Sequence, residues 1–538
     1  MLKRLLPVFL LLVFFSGMAL VQFSTPDLPD NDGFYHIKLA ALMRAEGLKP
    51  AFVWLPLSIL NREEFYDHHF LFHVALIPFI FGDLRLGAKW AAICFATLAF
   101  LALWLVLHRQ RIAFAWLWAL GLLGVSEAFL YRMSITRAQS LSLAVLAIAF
   151  LWMLEGKYRH LAVLSFLYVW MYDAFPLVGM LAVLYFLAVL LVEGRFEFRP
   201  IVYVSVGILF GMLLNPYFPY NITFFIRHVV PKLSDATSVS VGNEWYPYDT
   251  GQLLENSLPA FTALALGALA LGLSGLRMDV RTAFAFLVAL LFGLMLFEAR
   301  RFVEYFPPFA LLFAAFATAP LLDDSPPAGF ARTPHPNFFR AWLAPALVGL
   351  CVILAVAKSL PAAAEQVRSA KPYGLYAGAS NWLMRHTQKG ERVFQTDWDD
   401  FPRLFFYNTH NTYLAGLDPT YMQLYDAELY TLWVDITRGD VENPSRMIVT
   451  RFGSRFVVSD LNHGDFIEQA AADPAMEEVY RDGQAVVYEI VRTRPTRSRH
   501  FHICLSSINV IISNLLSCAP SGYNSEHRKH PAPQQGQP

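Results

Sequence analysis

A chain of 538 residues that is 56% hydrophobic and 16% charged falls well below the ~25% charge of an ordinary soluble domain. Its 42 lysines and arginines balance its 42 aspartates and glutamates, so no basic surface for nucleic acid is implied. Cys94, Cys351, Cys504 and Cys518 form no CxxC or zinc spacing and no disulfide framework; Cys94 and Cys351 sit in apolar runs and read as core thiols.

The apolar residues come in blocks of about 15–20, the length that spans a bilayer as a helix. Met1-Leu2-Lys3-Arg4 precedes the first, residues 5–21. A cleaved signal peptide is the rival reading, but no small-x-small site stands where cleavage should fall, so an uncleaved first helix is expected. Further spans are predicted at 86–107, 112–130, 135–154, 160–174, 175–193, 200–215, 256–274, 280–297, 303–320 and 341–358, about eleven in all. Residues 69–81 are too short to cross and read as a half-inserted helix. Charge orients the chain. With that half-helix not spanning, one side receives Arg109 and Arg111, Lys157 and Arg159, Arg195 and Arg199, Arg277 and Arg281, and Arg332 and Arg340. That is the positive-inside pattern, with the N-terminus cytoplasmic.

The outer side then receives residues 23–85, the turn at 131–139, the turn at 172–176, the loop 215–255, the junction 298–304 and everything after about 359. Residues 34–46 are expected to form a helix lying on the membrane surface, with Asp32 at its N-terminus, where free N–H groups and the dipole favour the ionised carboxylate. Residues 1–359 are thus a transmembrane domain. Residues 360–493 regain charge and read as a small extracytoplasmic α/β domain. Strands are predicted at Val393–Thr396, Thr412–Ala415, Arg455–Val458 and Ala485–Tyr488, and helices at 377–388 and 465–480. Residues 494–538 read as a disordered tail, with read-through past the natural end as one origin.

Ionisable side chains at a membrane's edge are costly unless hydrated or paired, so those on the outer side are candidates for chemistry. Asp32, within Asp30-Asn31-Asp32-Gly33-Phe34-Tyr35-His36, is a candidate general base or metal ligand. Asp67 and His68, within Tyr66-Asp67-His68-His69, would complete a divalent site whose oxygen ligands and single imidazole suit Mn²⁺ or Mg²⁺. His36 is a weaker candidate. Arg300 and Arg301 end one span on the side where arginine is least expected, and two guanidiniums there could clamp a phosphate; Glu304 begins the next span. Arg132 and Arg137 share that argument. Asp397-Trp398-Asp399-Asp400-Phe401-Pro402, with 407–411 and 418–421, reads equally as an acceptor-binding loop or as ordinary turn chemistry.

These motifs, in this order and on one side, resemble the GT-C superfamily of membrane glycosyltransferases, which includes protein mannosyltransferases, aminoarabinose transferases and oligosaccharyltransferase catalytic subunits. Asp30–His36 looks like their first acidic motif, Asp67-His68-His69 like the Asp-His-His of oligosaccharyltransferases, and Thr136-Arg137-Ala138-Gln139 like their Arg-Pro-Gln turn. Arg300–Tyr305 looks like the arginine-rich outer junction of many relatives. The resemblance covers roughly residues 1–320. It implies an inverting transfer of a sugar from a polyprenyl-phosphate or diphosphate donor to a lipid, glycan or protein acceptor, at the outer face of a bacterial inner membrane. Asp32, Asp67 and His68 would be catalytic or metal-binding, and Arg137, Arg300, Arg301, Glu304, Trp398 and Asp399 would bind substrate. Asp397-Trp398-Asp399-Asp400 departs from the Trp-Trp-Asp that reads an asparagine sequon, so transfer to such a sequon is not implied. A non-catalytic relative or a lipid-linked sugar carrier is the alternative; transporters tend to show internal repeats and broken helices at the midplane.

Overall fold

The computed structural model describes residues 2–231, 242–275, 277–322 and 342–491. The predicted tail at 494–538, Arg332 and Arg340 lie outside them. Among the described residues six helices are long and apolar enough to cross a membrane by length and composition, and a bent pair brings the number to seven. The protein is thus an integral, multi-pass membrane protein, short of the predicted eleven full-length spans. Phe70–Phe79, Arg199–Leu213 and Phe306–Leu322 are apolar but shorter.

The clearest departure is at 112–130, which is not one helix. It breaks into Ala115–Leu120, a tight turn at Gly121–Leu123, and the start of Glu127–Ser134. The cause is packing. A Cβ on Gly124 would lie 2.6 Å from the backbone nitrogen of Val356, so only glycine lets this segment touch the helix Ala344–Arg368. Ser359 Oγ donates to the Gly124 carbonyl at 2.9 Å, and Ser126 caps the next helix by accepting from the Phe129 N–H at 3.2 Å. A second break follows. Glu127–Ser134 and Gln139–Leu154 meet at 110°, and the residues between them include Thr136 and Arg137. Cys351 is exposed on its helix rather than buried.

The first helix, α1 (Leu2–Gln22), is followed by α2 (Asp32–Glu46), α3 (Phe70–Leu76) and α4 (Leu84–Arg109). The short α3 fits the expected half-helix. In contrast, α2 does not lie exposed on a surface: Phe34, Tyr35, His36, Ile37, Leu39, Ala40 and Met43 are all buried. Phe34 packs on Phe406 and Tyr373, and Tyr35 on Phe52 and Phe405, so α2 is covered by the C-terminal domain. Apolar residues among polar neighbours read as a membrane-surface helix, but the same pattern buries its apolar residues equally well against protein. Lys89 of α4 is fully buried, and its Nζ donates to the carbonyls of Gln22 (2.8 Å) and Thr25 (2.7 Å), capping α1.

The C-terminal domain holds a five-stranded sheet: β1 (Arg392–Gln395), β2 (Thr412–Tyr413), β3 (Phe456–Asp460), β4 (Met476–Arg481) and β5 (Ala485–Ile490). Its order is β2-β1-β3-β5-β4, with β1 parallel to β2 and β3, and β5 antiparallel to β3 and β4. The predicted helix 465–480 is corrected: it ends at Ala472, and β4 follows. Asp473-Pro474 forces the stop, because proline cannot continue the helix and restricts the residue before it. Arg403, 1% exposed, docks the domain through Nε to Asn31 Oδ1 (2.7 Å) and Nη1 to the Pro372 carbonyl (2.8 Å).

Two outcomes are expected. Lys89→Met strands two buried carbonyls and costs about 1–3 kcal/mol of unfolding free energy, read from denaturant melts of the detergent-solubilised protein. The second concerns Asp460 and His463 Nδ1, 2.5 Å apart. Burial opposes both charges, yet the pairing raises the His463 pKa above 6.5 and pulls Asp460 below 3.8. The histidine's contribution is complete below about pH 6.5 and is lost as pH rises through its elevated pKa; the aspartate's is lost as pH falls through its depressed one. Hydrogen exchange in Gly464–Ala472, corrected for intrinsic rate, should therefore slow from about pH 8 to about pH 6, and His463→Asn should remove that change.

Candidate active site

The turn between Glu127–Ser134 and Gln139–Leu154 presents Arg137 to the N-terminus of α2. There Arg137 Nε lies 2.7 Å from Asp30 Oδ2, Nη2 lies 2.6 Å from Asp32 Oδ2, and Nη1 lies 3.0 Å from Glu244 Oε2. A planar guanidinium with five donors suits such a hub; a lysine's point charge does not. Tyr131 OH donates to the Pro29 carbonyl at 2.8 Å and fixes the approach of the acidic motif.

Glu244 is shared. Arg132 Nη2 stands 2.9 Å and Arg301 Nη1 3.8 Å from it. Burial pushes its carboxyl up, but Arg132, Arg137 and Arg301 together hold it below the ordinary carboxylate range. Asp32 goes the other way. Burial raises its pKa to about 7, against the pull of Arg137 and with Asp30, Asp399 and Glu244 adding to the rise. Its place at a helix N-terminus therefore does not keep it as acidic as the sequence suggests.

These groups wall a cavity of about 410 Å³ that contains Asp32, His36, His69, Arg137, Tyr172, Glu244 and Arg301, with Leu177, Met180, Met295 and Phe302 as its apolar part. Asp418 and Tyr421 of the C-terminal domain also reach it. Arg301 donates to Tyr172 OH at 2.9 Å and lies over the Trp245 ring at 4.2 Å.

Of the residues singled out in the sequence, Asp32, Arg137 and Arg301 meet here. Arg300 does not line the cavity: it turns outward, with Nε on the Pro247 carbonyl at 3.1 Å and its guanidinium over Tyr248, so the pair of arginines is no clamp. Glu304 is fully buried and acts on Arg132, accepting from Nε at 2.7 Å. Asp399 Oδ2 accepts from Asn31 Nδ2 at 2.6 Å, behind the acidic motif, and neither it nor Trp398 lines the cavity. Asp397 is spent on its own turn, accepting from the Asp399 N–H at 2.9 Å. The sequence reading missed Glu244, His69 and Tyr172. For Glu244 the available signal was an acid next to a tryptophan within the loop 215–255.

The expected metal ligands Asp32, Asp67 and His68 do not converge. Asp67 Oδ2 pairs with His73 Nδ1 at 2.8 Å and Oδ1 accepts the His69 N–H at 3.0 Å. His68 stacks on Phe224, with ring centroids 5.1 Å apart, and Asp32 is on Arg137. Among the described residues no three His, Cys, Asp or Glu side chains are grouped to hold a metal. As arranged, this donor set does not fit Mn²⁺ or Mg²⁺.

No family model matches the chain, and no curated protein sequence matches it. Solved structures do match its fold. Oligosaccharyltransferase AglB of Archaeoglobus fulgidus, in complex with an inhibitory peptide and a dolichol-phosphate, aligns with TM-score 0.59 and 13% identity over 85% of this chain and 70% of its own. The same organism's oligosaccharyltransferase in complex with Zn and sulfate aligns with TM-score 0.58 and 13% identity over 90% and 73%. ArnT of Cupriavidus metallidurans bound to undecaprenyl phosphate aligns with TM-score 0.56 and 14% identity over 91% and 98%. The chain thus shares its overall fold with these solved proteins.

Arg132 is shared between Glu304 and Glu244, so Glu304→Leu leaves it one carboxylate and should cost about 1–3 kcal/mol in equilibrium unfolding, less than the ~3–5 kcal/mol of a wholly unpaired buried charge.

Proposed function

We propose that the chain is a membrane glycosyltransferase that passes a hexose or pentose from a polyprenyl-phosphate or diphosphate carrier to an acceptor, with inversion, at the extracytoplasmic face of a bacterial inner membrane. One observation carries the reading: a single cavity holds Arg301, which suits a phosphate, beside the acidic turn of α2 and an apolar wall of Leu177, Met180 and Met295, which suits an isoprenoid. The fold likeness to proteins solved with dolichol-phosphate and with undecaprenyl phosphate supports it.

In this mechanism the acceptor's oxygen or nitrogen bonds to the sugar's anomeric carbon while the bond from that carbon to the phosphate oxygen breaks, its electron pair staying on the phosphate. Arg301, held in orientation by Tyr172 and Trp245, neutralises the charge that grows there. Such preorganised electrostatics is often the largest catalytic term. Arg137 stays with Asp30, Asp32 and Glu244 and shapes the wall. The acceptor's proton passes to the cavity face of α2, where Asp32 and His36 stand one turn apart. Asp418 and Tyr421 leave the acceptor an approach along the C-terminal domain.

The test is release of the polyprenyl carrier from a panel of undecaprenyl-phosphate- and undecaprenyl-diphosphate-linked sugars by the purified protein in nanodiscs, with extracted membrane lipids, glycans and peptides supplied as acceptors. Arg301→Gln should slow release about 10²–10³-fold, whereas Arg300→Gln should change it little. A carrier releases none, so a silent wild-type protein across the panel sinks the transferase reading.

A further inference from the structure

Asp67, His73 and His36 form a hydrogen-bonded line that ends in the cavity. Asp67 Oδ2 lies 2.8 Å from His73 Nδ1, and His73 Nε2 lies 2.8 Å from His36 Nδ1. All three are buried, at 2%, 0% and 4% exposure, so the bonds within the line are shielded from competing water. The order of donors follows from the carboxylate. Asp67 also accepts the His69 N–H through Oδ1, which favours the acceptor-only carboxylate, and against a carboxylate His73 carries its proton on Nδ1. A neutral His73 then accepts at Nε2, which makes His36 the donor at Nδ1. That leaves the lone pair of His36 on Nε2, an atom that no described residue hydrogen-bonds, on a residue that lines the cavity. Burial lowers the His36 pKa well below 6.5, so the ring enters the reaction neutral.

We infer that His36 is the residue that takes the acceptor's proton, and that His73 and Asp67 are positioning residues that fix its tautomer and support its charge. The inference rests on the transferase reading and specifies its base. Asp32, one turn earlier on α2, has one oxygen committed to Arg137 at 2.6 Å and is the competing base. As the acceptor's heteroatom bonds to the anomeric carbon, its proton moves to His36 Nε2, and the electron pair of the broken bond leaves on the donor phosphate. The imidazolium so formed keeps its Nδ1 proton toward His73, with the Asp67 carboxylate behind it, and later yields the Nε2 proton to water. A bound neutral histidine aligned by a buried acid is the triad arrangement with an imidazole inserted.

Two measurements decide this. Nitrogen-15 NMR of histidine-labelled protein, assigned with His36→Gln, reads the tautomer without any turnover: His36 should be protonated at Nδ1 and bare at Nε2, and Asp67→Asn or His73→Gln should shift it toward the Nε2–H form. A wild-type His36 protonated at Nε2 overturns the relay whatever the protein's activity. Turnover is read as undecaprenyl phosphate release, with native mass spectrometry of undecaprenyl phosphate binding as the control. His36→Gln should lower the rate ~10²–10⁴-fold with binding unchanged, and added imidazole should restore part of the rate to His36→Ala but not to Asp32→Ala. If His36→Gln turns over at the wild-type rate while Asp32→Asn does not, Asp32 is the base and the assignment to His36 is wrong. If the wild type releases nothing, the catalytic part falls with the transferase reading, and the NMR result still decides the relay.

Discussion

The active cavity depends on one cation. Arg137 gathers Asp30, Asp32 and Glu244 from two distant segments, each within 3.0 Å. Without it, three carboxylates would face one another in a partly buried wall, where low dielectric makes like charges repel strongly. Arg132 and Arg301 extend the network through the same Glu244, and Glu304 holds Arg132 from behind. The helix break that exposes Arg137 is therefore a requirement of the site. A straight helix through residues 127–154 would carry Arg132 and Arg137 along one axis, with no reason to meet the acidic turn. The 110° bend supplies that reason.

The same turn is held from above. Asn31, between the two acids, accepts from Arg403 and donates to Asp399, both on the C-terminal domain. Arg403 also lies 4.3 Å over the Phe34 ring. The loop before α3 enters that domain as well: the Tyr413 N–H donates to the Trp54 carbonyl at 2.8 Å, and Trp54 packs on Phe405 with centroids 4.9 Å apart. Buried aromatic contact of this kind orders a loop at low entropy cost, because each ring brings few rotatable bonds. The domain thus acts as the roof that keeps Asp30 and Asp32 in register with Arg137.

Much of this was legible in the sequence. Apolar block length marks most of the membrane helices, and of the residues the motifs single out, Asp32, His36, Arg137 and Arg301 line one cavity. What hydropathy cannot report is a break. Residues 112–130 are as apolar as a span, yet they break at Gly121–Leu123, beside the close approach of Gly124 to the Val356 backbone. Individual partners were equally hidden. Arg300 and Arg301 are adjacent and chemically identical, yet one faces Tyr248 and the other the cavity, a choice made by the tight turn at Arg300–Glu304. Asp67 looked like a metal ligand because its natural partner, His73, lies inside an apolar run six residues on and drew no notice.

That partner changes how the two motifs relate. From sequence alone, the acidic motif at 30–36 and the Asp-His-His cluster at 67–69 are parallel contributors to one ligand set. In the fold they are joined through α2. One turn of that helix carries Asp32, which ties to Arg137; the next carries His36, which ties through His73 to Asp67. Helical spacing of four puts both on the same face, so one short element presents to the cavity a carboxylate set by a guanidinium and an imidazole set by a carboxylate. A rotation of α2 about its axis would disturb both together. The burial of Phe34, Ile37 and Leu39, each 0% exposed, opposes such a rotation. The apolar residues of α2, unremarkable as chemistry, thereby fix the orientation of the polar ones.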